Sequence, residues 1–319
     1  MAHAPAGAPG PGDQEEKTRQ RPARQRVGIA AVPPLLTAME QIIFAEQGSE
    51  HPVVVVEEEH VRCLRFGTGA RQSCMDTLAP HRLQLAYTRW MMTALLLHPR
   101  PERFLILGLG GGSLVRFLLH HHPGARIDVV ERSAEVIRTA RAYFRLPEQE
   151  NLRILHRDAA DFVARSAAGG AAPYHVVFVD IFGPDCMAPP LYDPAFHSQA
   201  LRCLTDDGVM AVNLWSGDRC RFLLARRALS TACAGRVLRL KVRKRSNVIL
   251  LAFPCRIPKK RLRRVRKNIL PLQQRYGLNF PRYLKRLRRT NLDLLAALAG
   301  RGRNRSADRG TGDGNQSGR

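Results

Sequence analysis

The chain has 319 residues, 45% of them hydrophobic, and its 51 Lys and Arg outnumber 27 Asp and Glu to give a formal net charge of +24. This hydrophobic content supports a packed core and excludes a wholly disordered chain. The sequence contains neither eighteen consecutive apolar residues nor an apolar run at its N-terminus. We therefore expect no membrane span and no secretory signal, and a cytoplasmic location.

The two ends of the chain are compositionally different from the middle. Residues 1–34 are rich in Ala, Pro, Gly, Gln and Arg without an apolar period, and residues 300–319 contain almost nothing that could be buried. Such segments cannot offset the entropy of ordering their backbone. Both are predicted to be disordered tails.

Residues 35–99 are predicted to form a small N-terminal β unit followed by a linking helix. Residues 53–76 contain β-branched runs broken by the turn Gly67-Thr68-Gly69, which is typical of antiparallel strands. The segment "LQLAYTRWMMTALLLHP" then places apolar residues at helical spacing and stops before Pro99-Arg100-Pro101.

Residues 100–256 alternate between short apolar runs and amphipathic segments. The runs fall at 104–108, 127–131, 152–156, 175–180 and 208–214. This alternation predicts an α/β fold with a mostly parallel sheet covered by helices on both faces, a Rossmann-like nucleoside-binding domain.

A glycine-rich turn follows the first of these strands. It contains Gly108, Gly110, Gly111 and Gly112 and directly precedes a helical pattern, so the backbone can approach a ligand closely. Glu131 ends the next strand, where a carboxylate can accept both ribose hydroxyls of an adenosine. A tight turn without a ligand is the alternative. The sequence favours a nucleoside-bearing cofactor, because Asp158 and Asp180 also fall at strand ends, where ligands bind in such sheets.

Cysteine and histidine patterns do not indicate a metal site. The seven cysteines contain no C-x-x-C pair, so neither a zinc site nor a disulfide framework is predicted, and buried reduced thiols are expected. His120, His121 and His122 are adjacent on a predicted helix and diverge, so they are expected to be an exposed helix end.

Residues 257–299 are strongly basic. Between Arg256 and Arg289 the chain has fourteen Lys or Arg and no Asp or Glu. Two amphipathic helices are predicted from the spacing of Leu262, Val265, Ile269 and Leu272, and of Phe280, Tyr283, Leu284 and Leu287. Their basic faces could bind an anionic partner such as nucleic acid or acidic lipid. A merely solvated face is slightly favoured, because few aromatic residues are interleaved among the charges.

Several longer motifs lie between residues 53 and 255. They are "QS" at Gln72-Ser73, "LAYTRWMMTALLLHPRPERFLILGLGGGSL", "HRDAADF", "VVFVDIFGPD" and "LTDDGVMAVNLW". In these motifs the chain resembles the spermidine synthase-like family, polyamine aminopropyltransferases with the class I S-adenosylmethionine-dependent methyltransferase fold.

The resemblance implies roles for individual residues. Glu131 would hold the ribose, Asp158 with Ala159 would contact the adenine edge, and Gln72 would contribute to the cofactor site. Asp180 would be the catalytic acid residue facing the acceptor amine, with Tyr87 and Asp185 as substrate contacts. The cofactor would be decarboxylated S-adenosylmethionine or S-adenosylmethionine, without a metal.

The sequence also departs from the family pattern near the expected acceptor. Ser113 follows the glycine turn where the family has Asp, Thr88-Arg89 follow Tyr87 where it has His-Glu, and Gly183 interrupts its D-x-x-D-P loop. A second ammonium on the acceptor would then lack a partner, which is costly in a partly dry pocket. We therefore expect an altered amine acceptor and slow reaction with putrescine.

Three functions remain as hypotheses. The first is aminopropyl transfer to an amine, the second is a methyltransferase-like reaction with intact S-adenosylmethionine, and the third is non-catalytic nucleoside binding with an anion-binding surface. Candidate partners are an amine acceptor, a second copy of the chain in a homodimer, and an anionic partner at the basic helices.

Overall fold

The computed structural model describes residues 40–67, 69–98, 100–169, 173–183, 186–292 and 294–295. The two predicted tails and the candidate substrate contact Asp185 lie outside these ranges.

A four-stranded antiparallel sheet forms the N-terminal unit, in the order β1-β2-β3-β4. Its strands are β1 (Gln41–Gln47), β2 (Pro52–Glu58), β3 (Val61–Phe66) and β4 (Arg71–Asp76). The valine run of β2 is buried on both faces: Val53 and Val55 pack with Phe144 of the larger domain, and Val54 and Val56 pack on the opposite face. This is the two-residue alternation of a strand. β1 was not predicted.

The cysteines correct one expectation. Cys63 of β3 and Cys74 of β4 are cross-strand partners and form a disulfide, so the prediction of reduced thiols throughout is wrong. Their separation of 11 residues is set by a hairpin and carries no sequence signature of a disulfide. Two of the free thiols, Cys220 and Cys255, are exposed rather than buried.

The linking helix is interrupted rather than continuous. It consists of α1 (Ala86–Met91) and α2 (Ala94–Leu97). Between them the Thr93 amide donates to the Trp90 carbonyl at 3.1 Å, three residues back, which is the tighter 3₁₀ pattern. Met91, Met92 and the residues of α2 are almost fully buried. Tertiary packing therefore determines the path of this segment more than its helical period does.

A seven-stranded sheet forms the larger domain, in the order β10-β11-β9-β8-β5-β6-β7. The strands are β5 (Arg103–Leu107), β6 (Arg126–Glu131), β7 (Leu152–His156), β8 (Tyr174–Val179), β9 (Leu204–Trp215), β10 (Val237–Lys241) and β11 (Asn247–Ala252). β5 to β9 pair in parallel, whereas β10 and β11 are antiparallel. The predicted α/β fold is confirmed, and the β10–β11 hairpin was not predicted.

Helices connect these strands, and their positions determine where a ligand can bind. They are α3 (Ser113–His121), α4 (Ala134–Tyr143), α5 (Ala159–Ala168), α6 (Pro194–Arg202) and α7 (Arg219–Ala232). From β5 the chain builds outward to β6 and β7, and then returns to place β8 on the other side of β5. This reversal of strand order opens a crevice at the carboxyl ends of β5 and β8.

The basic segment contains three helices instead of the predicted two. They are α8 (Lys259–Val265), α9 (Ile269–Tyr276) and α10 (Phe280–Thr290). Pro271 lies in the first turn of α9, where its missing N–H is tolerated. A continuous helix across 259–276 would place it in the interior at the cost of a hydrogen bond. Among the described residues, no helix has the length and apolar character needed to cross a bilayer.

The histidine run is only partly exposed, so the expectation of a solvent-exposed helix end is wrong for His122. His120 is exposed, but His122 is buried, and its Nε2 lies 2.9 Å from the Tyr276 hydroxyl of α9. Burial lowers the pKa of His122 to about 4. This residue therefore helps to attach α9 to the end of α3.

Candidate active site

A cavity lies at the carboxyl ends of β5, β6 and β8, and we call it the inner cavity. The predicted site residues that line it are Gln72, Tyr87, Gly108, Gly110, Glu131, Asp158, Ala159 and Asp180. They come from the N-terminal sheet, α1 and the ends of the parallel strands. The fold thus brings together residues that are up to 108 positions apart in the chain.

The glycine turn contributes to the cavity in two ways. Gly108 has φ +95°, and a Cβ there would lie 2.2 Å from the Asp180 carbonyl oxygen, so a side chain is excluded between the ends of β5 and β8. Gly110 lines the cavity. Gly111 and Gly112 instead face the interior, where a Cβ would lie 2.9 Å from the Phe144 ring and 2.7 Å from Leu146 respectively.

Glu131 is held at the end of β6 by two backbone amides. Its Oε2 accepts from the Leu109 amide at 2.9 Å, and its Oε1 accepts from the Ser133 amide at 3.0 Å. The first bond connects the acid to the glycine turn. Each carboxylate oxygen has a second lone pair, so Glu131 retains the capacity to accept from two ligand hydroxyls.

Asp158 is the N-cap of α5. Its Oδ1 accepts from the Ala160 amide at 2.7 Å and from the Asp161 amide at 3.2 Å, and these bonds satisfy two free N–H groups of the helix. Ala159, the first helical residue, is almost fully buried beside it. The cap fixes the orientation of the carboxylate where it borders the cavity.

Asp180 follows β8 and is hydrogen-bonded at both carboxylate oxygens. The Tyr87 hydroxyl donates to Oδ2 at 3.0 Å, and the Asn213 side-chain amide donates to Oδ1 at 2.9 Å. Burial raises the pKa of Asp180 to about 6, and these two donors oppose the rise.

Tyr87 keeps its phenolic proton at neutral pH and donates it to Asp180. Burial raises the pKa of its phenol well above the ordinary value, and the nearby Asp180 charge acts in the same direction. Its hydroxyl also lies 3.1 Å from the Gln72 carbonyl oxygen. Tyr87 therefore links β4 to the carboxylate of Asp180.

Asn213 is a site residue that sequence reasoning missed. It lies on β9 with 1% of its surface exposed, and its Oδ1 accepts from the Asn247 side chain of β11 at 3.1 Å. An amide in the apolar run "VMAVNLW" was the available signal, because a buried polar side chain needs partners.

Two further residues of the inner cavity, His51 and Phe66, also escaped prediction. His51 and Phe66 come from the N-terminal sheet region, and their rings pack edge to face with centroids 4.0 Å apart. Near the glycine turn, the hydroxyls of Ser73 and Ser113 lie 3.0 Å apart. These contacts join segments that are distant in sequence, so no local pattern indicates them.

A second cavity adjoins the first, and we call it the outer cavity. The two share Gln72, Tyr87 and Phe182, and Asn213 and Asn247 line the outer one. Three arginines, Arg71, Arg89 and Arg245, also line it. Asp180 therefore lies between the two cavities, bonded to Tyr87 and Asn213 of the outer one.

Comparison with known proteins identifies the family. Residues 84–215 match the spermine/spermidine synthase domain model. The polyamine aminopropyltransferase of Chromobacterium violaceum is 34% identical over 240 residues, which cover 75% of this chain and 90% of the relative. The chain belongs to the spermine/spermidine synthase family. The matched residues begin just before α1 and end with β9, so they include Asp180 and both of its side-chain partners.

Other relatives of this chain support the same family assignment. The polyamine aminopropyltransferase of Neisseria meningitidis serogroup A is 32% identical over 241 residues, 75% of this chain and 90% of the relative. The crystal structure of a probable spermidine synthase from Corynebacterium glutamicum superposes with a TM-score of 0.58, at 18% identity over 70% of this chain and 86% of that one. This structural match supports the fold.

The described residues do not form a metal site. No cluster of three or more His, Cys, Asp or Glu able to hold a metal ion occurs among the residues that the structure covers. The three acids of the inner cavity are instead each bonded to backbone amides or to neutral side chains.

Proposed function

We propose that the protein transfers an aminopropyl group from decarboxylated S-adenosylmethionine to an amine acceptor. The observation that supports this most directly is the position of Asp180, a carboxylate with a raised pKa that lies between the inner cavity, lined by the glycine turn and Glu131, and the adjoining outer cavity. Membership of the spermine/spermidine synthase family points to the same reaction.

The reaction needs a neutral amine, yet an alkyl amine has a reference pKa of about 10 and is almost wholly protonated at pH 7. Asp180 would orient the ammonium and accept its proton, which then passes to solvent. The nitrogen lone pair forms the new C–N bond, the C–S bond breaks, and its electron pair returns the sulfonium to a neutral thioether. A pKa of about 6 makes Asp180 a stronger base than an ordinary carboxylate, yet leaves it ionised at neutral pH.

The remaining acids of the inner cavity would bind the nucleoside. Glu131 would accept from the ribose hydroxyls, because its orientation is fixed by the Leu109 and Ser133 amides. Asp158 with Ala159 would contact the adenine edge, Gln72 would line the same cavity, and Gly108 and Gly110 would allow the ligand to approach the backbone. Gly111 and Gly112 would act through the conformation of the turn, since they face the interior.

A second candidate is a methyltransferase-like reaction with intact S-adenosylmethionine. It is favoured by Ser113, a neutral residue that stands where the family has Asp and therefore places no negative charge beside a cofactor carboxylate. The third hypothesis, non-catalytic nucleoside binding, would use the inner cavity alone.

Calorimetric titration with decarboxylated S-adenosylmethionine, S-adenosylmethionine and methylthioadenosine separates these functions. For an aminopropyltransferase, the decarboxylated form binds more tightly than the intact one, and adding an amine releases methylthioadenosine. Preferential binding of intact S-adenosylmethionine, with S-adenosylhomocysteine as the product, would move the assignment to methyl transfer. Tight nucleoside binding without any product would indicate the non-catalytic alternative.

Three further expectations from the sequence remain predictions. They are a cytoplasmic location, assembly as a homodimer, and a reaction that needs no metal. Cell fractionation would test the location, and measurement of the molar mass by light scattering would test the homodimer. An assay in the presence of EDTA would test whether the reaction needs a metal. Binding of an anionic partner by the basic helices is tested separately, by the salt concentration at which the protein elutes from heparin.

A further inference from the structure

We propose that the acceptor amine carries an anionic group of the carboxylate class at the end away from its reacting nitrogen. This inference rests on the proposed aminopropyl transfer and names the substrate class of the same site. It comes from the charges of the outer cavity, which the proposed reaction itself does not use.

The geometry places the acceptor in the outer cavity. Its nitrogen has to lie near Asp180, and the inner cavity is the one lined by the glycine turn, Glu131 and Asp158. The opening that remains beside Asp180 is bounded by Tyr87 and Asn213, both of which line the outer cavity. The rest of the acceptor therefore extends along that cavity's wall.

This wall is basic. Arg71 of β4, Arg89 of α1 and Arg245 of the turn between β10 and β11 all border the outer cavity, and none of its described lining residues is acidic. Arg71 is already paired, because its guanidinium contacts Glu40 at 3.2 Å and Glu58 at 2.9 Å. Arg89 and Arg245 are thus the two candidates for binding a ligand.

Neither arginine forms an ion pair with an acid in the part of the chain that the structure describes. Arg89 is half-buried, and its Nη1 donates to the Leu83 carbonyl at 3.2 Å, which orients the guanidinium without neutralising it. Arg245 is exposed at the cavity mouth. Between them the wall offers neutral amides from Asn213 and Asn247 and the side of Trp215.

These groups suit an anion better than a second ammonium. A guanidinium presents paired N–H donors that match a carboxylate, and charged hydrogen bonds of this kind are stronger than neutral ones. A diamine would instead bring its distal ammonium to a wall with cationic and neutral groups and would lose part of its hydration there. The wall therefore selects between amines by the charge of their far end.

Three probes that share a four-carbon chain test this selection: 4-aminobutanoate, butylamine and putrescine. Their distal groups are a carboxylate, a methyl group and an ammonium. With saturating decarboxylated S-adenosylmethionine, we expect kcat/KM for methylthioadenosine release to be highest with 4-aminobutanoate and lowest with putrescine. The difference between these two should be about tenfold or more, the equivalent of one charged hydrogen bond.

Substitutions identify the residues responsible. Arg89→Gln and Arg245→Gln should each lower kcat/KM for 4-aminobutanoate about tenfold through KM, and leave that for butylamine unchanged. Arg126→Gln is the matched control, because Arg126 is exposed at the start of β6, the opposite end of the sheet from the site. Arg245→Glu should raise the use of putrescine, and calorimetric titration of the cofactor confirms that each variant is folded.

The possible results separate the two proposals. Higher kcat/KM with putrescine or butylamine than with 4-aminobutanoate would overturn the inference and leave aminopropyl transfer standing. So would arginine variants that lose activity equally with all three probes. Release of no methylthioadenosine with any probe, despite cofactor binding, would overturn the proposed function and this inference with it.

Discussion

The inner and outer cavities meet at Asp180, but they are built from different parts of the fold. The inner cavity lies at the ends of parallel strands, and its acids Glu131 and Asp158 are fixed by backbone amides. The outer cavity is bordered by α1, β4 and the β10–β11 turn, and its charged side chains are arginines. The inner cavity thus has acids beside two arginines, Arg132 and Arg157, whereas the charged residues described along the outer cavity are all arginines.

The difference shows which half the fold determines. In a parallel sheet the strand ends and the reversal of strand order create the cofactor crevice. The second half is completed by side chains from α1, β4, β9, β11 and the β10–β11 turn, whose identity can change without altering the strand order. The position of the cofactor crevice therefore follows from topology, whereas in our proposal the acceptor class depends on individual residues such as Arg89 and Arg245.

The largest expected effect is at the junction of the two halves. Asp180→Asn should lower turnover about a hundredfold or more, as expected when a positioned proton acceptor is lost, while nucleoside affinity changes little. Initial rates and calorimetric titration measure the two quantities. Asp206→Asn is a matched control, because Asp206 is exposed near the start of β9, away from both cavities. Normal turnover in Asp180→Asn would remove the catalytic assignment.

The next effect tests the inner half alone. Glu131→Ala should weaken nucleoside binding between about tenfold and a hundredfold, because a charged hydrogen bond contributes roughly 1.5 to 3 kcal/mol. The protein should remain folded, since the acid lies at the rim of the cavity, and thermal unfolding checks this. Glu150→Ala removes an exposed acid and serves as control. Equal affinity in the Glu131 and Glu150 variants would contradict the ribose assignment.

The sequence predicts the parallel strands well because their signal is local. Residues 104–107 and 176–179 are continuous apolar runs, and the structure buries them almost completely on both faces. β1 carries a weaker signal, since its residues are exposed or half-buried at a sheet edge. The Cys63–Cys74 disulfide depends on a pairing that only the folded chain brings together, whereas the break between α8 and α9 has a local cause, Pro271.

The candidate site divides in the same way. Gly108, Glu131, Asp158 and Asp180 were found because each follows a recognisable strand, and the structure places all four on one cavity. Asn213 was missed because its role depends on contact with Asp180, 33 positions earlier in the chain. The basic outer wall was missed because Arg89 and Arg245 are 156 positions apart and meet only across the fold.

A smaller effect concerns the ionisation of Asp180. Because burial raises its pKa to about 6 and the carboxylate is the active form, kcat/KM should rise as pH increases through about 6 and level off above it. Dividing the wild-type profile by that of Asp180→Asn cancels the ionisation of the amine. Tyr87→Phe removes a donor that lowers the pKa of Asp180, so the rise should move to higher pH. An unchanged midpoint would separate Tyr87 from the ionisation of Asp180.

The smallest effect on the site is expected from the basic helices, and it tests whether acceptor selectivity arises locally. Arg263, Arg266 and Lys267 are exposed on and just after α8. They face solvent and line neither cavity. If the basic helices bind an anionic polymer, changing all three to Glu should lower the salt concentration at which the protein elutes from heparin, because fewer cations then release counterions. The preference among 4-aminobutanoate, butylamine and putrescine should stay the same, since charges beyond a Debye length of about 10 Å at 0.1 M salt are largely screened.

A changed preference would mean that the overall positive charge selects the acceptor. Unchanged elution would mean that these residues form only a solvated face.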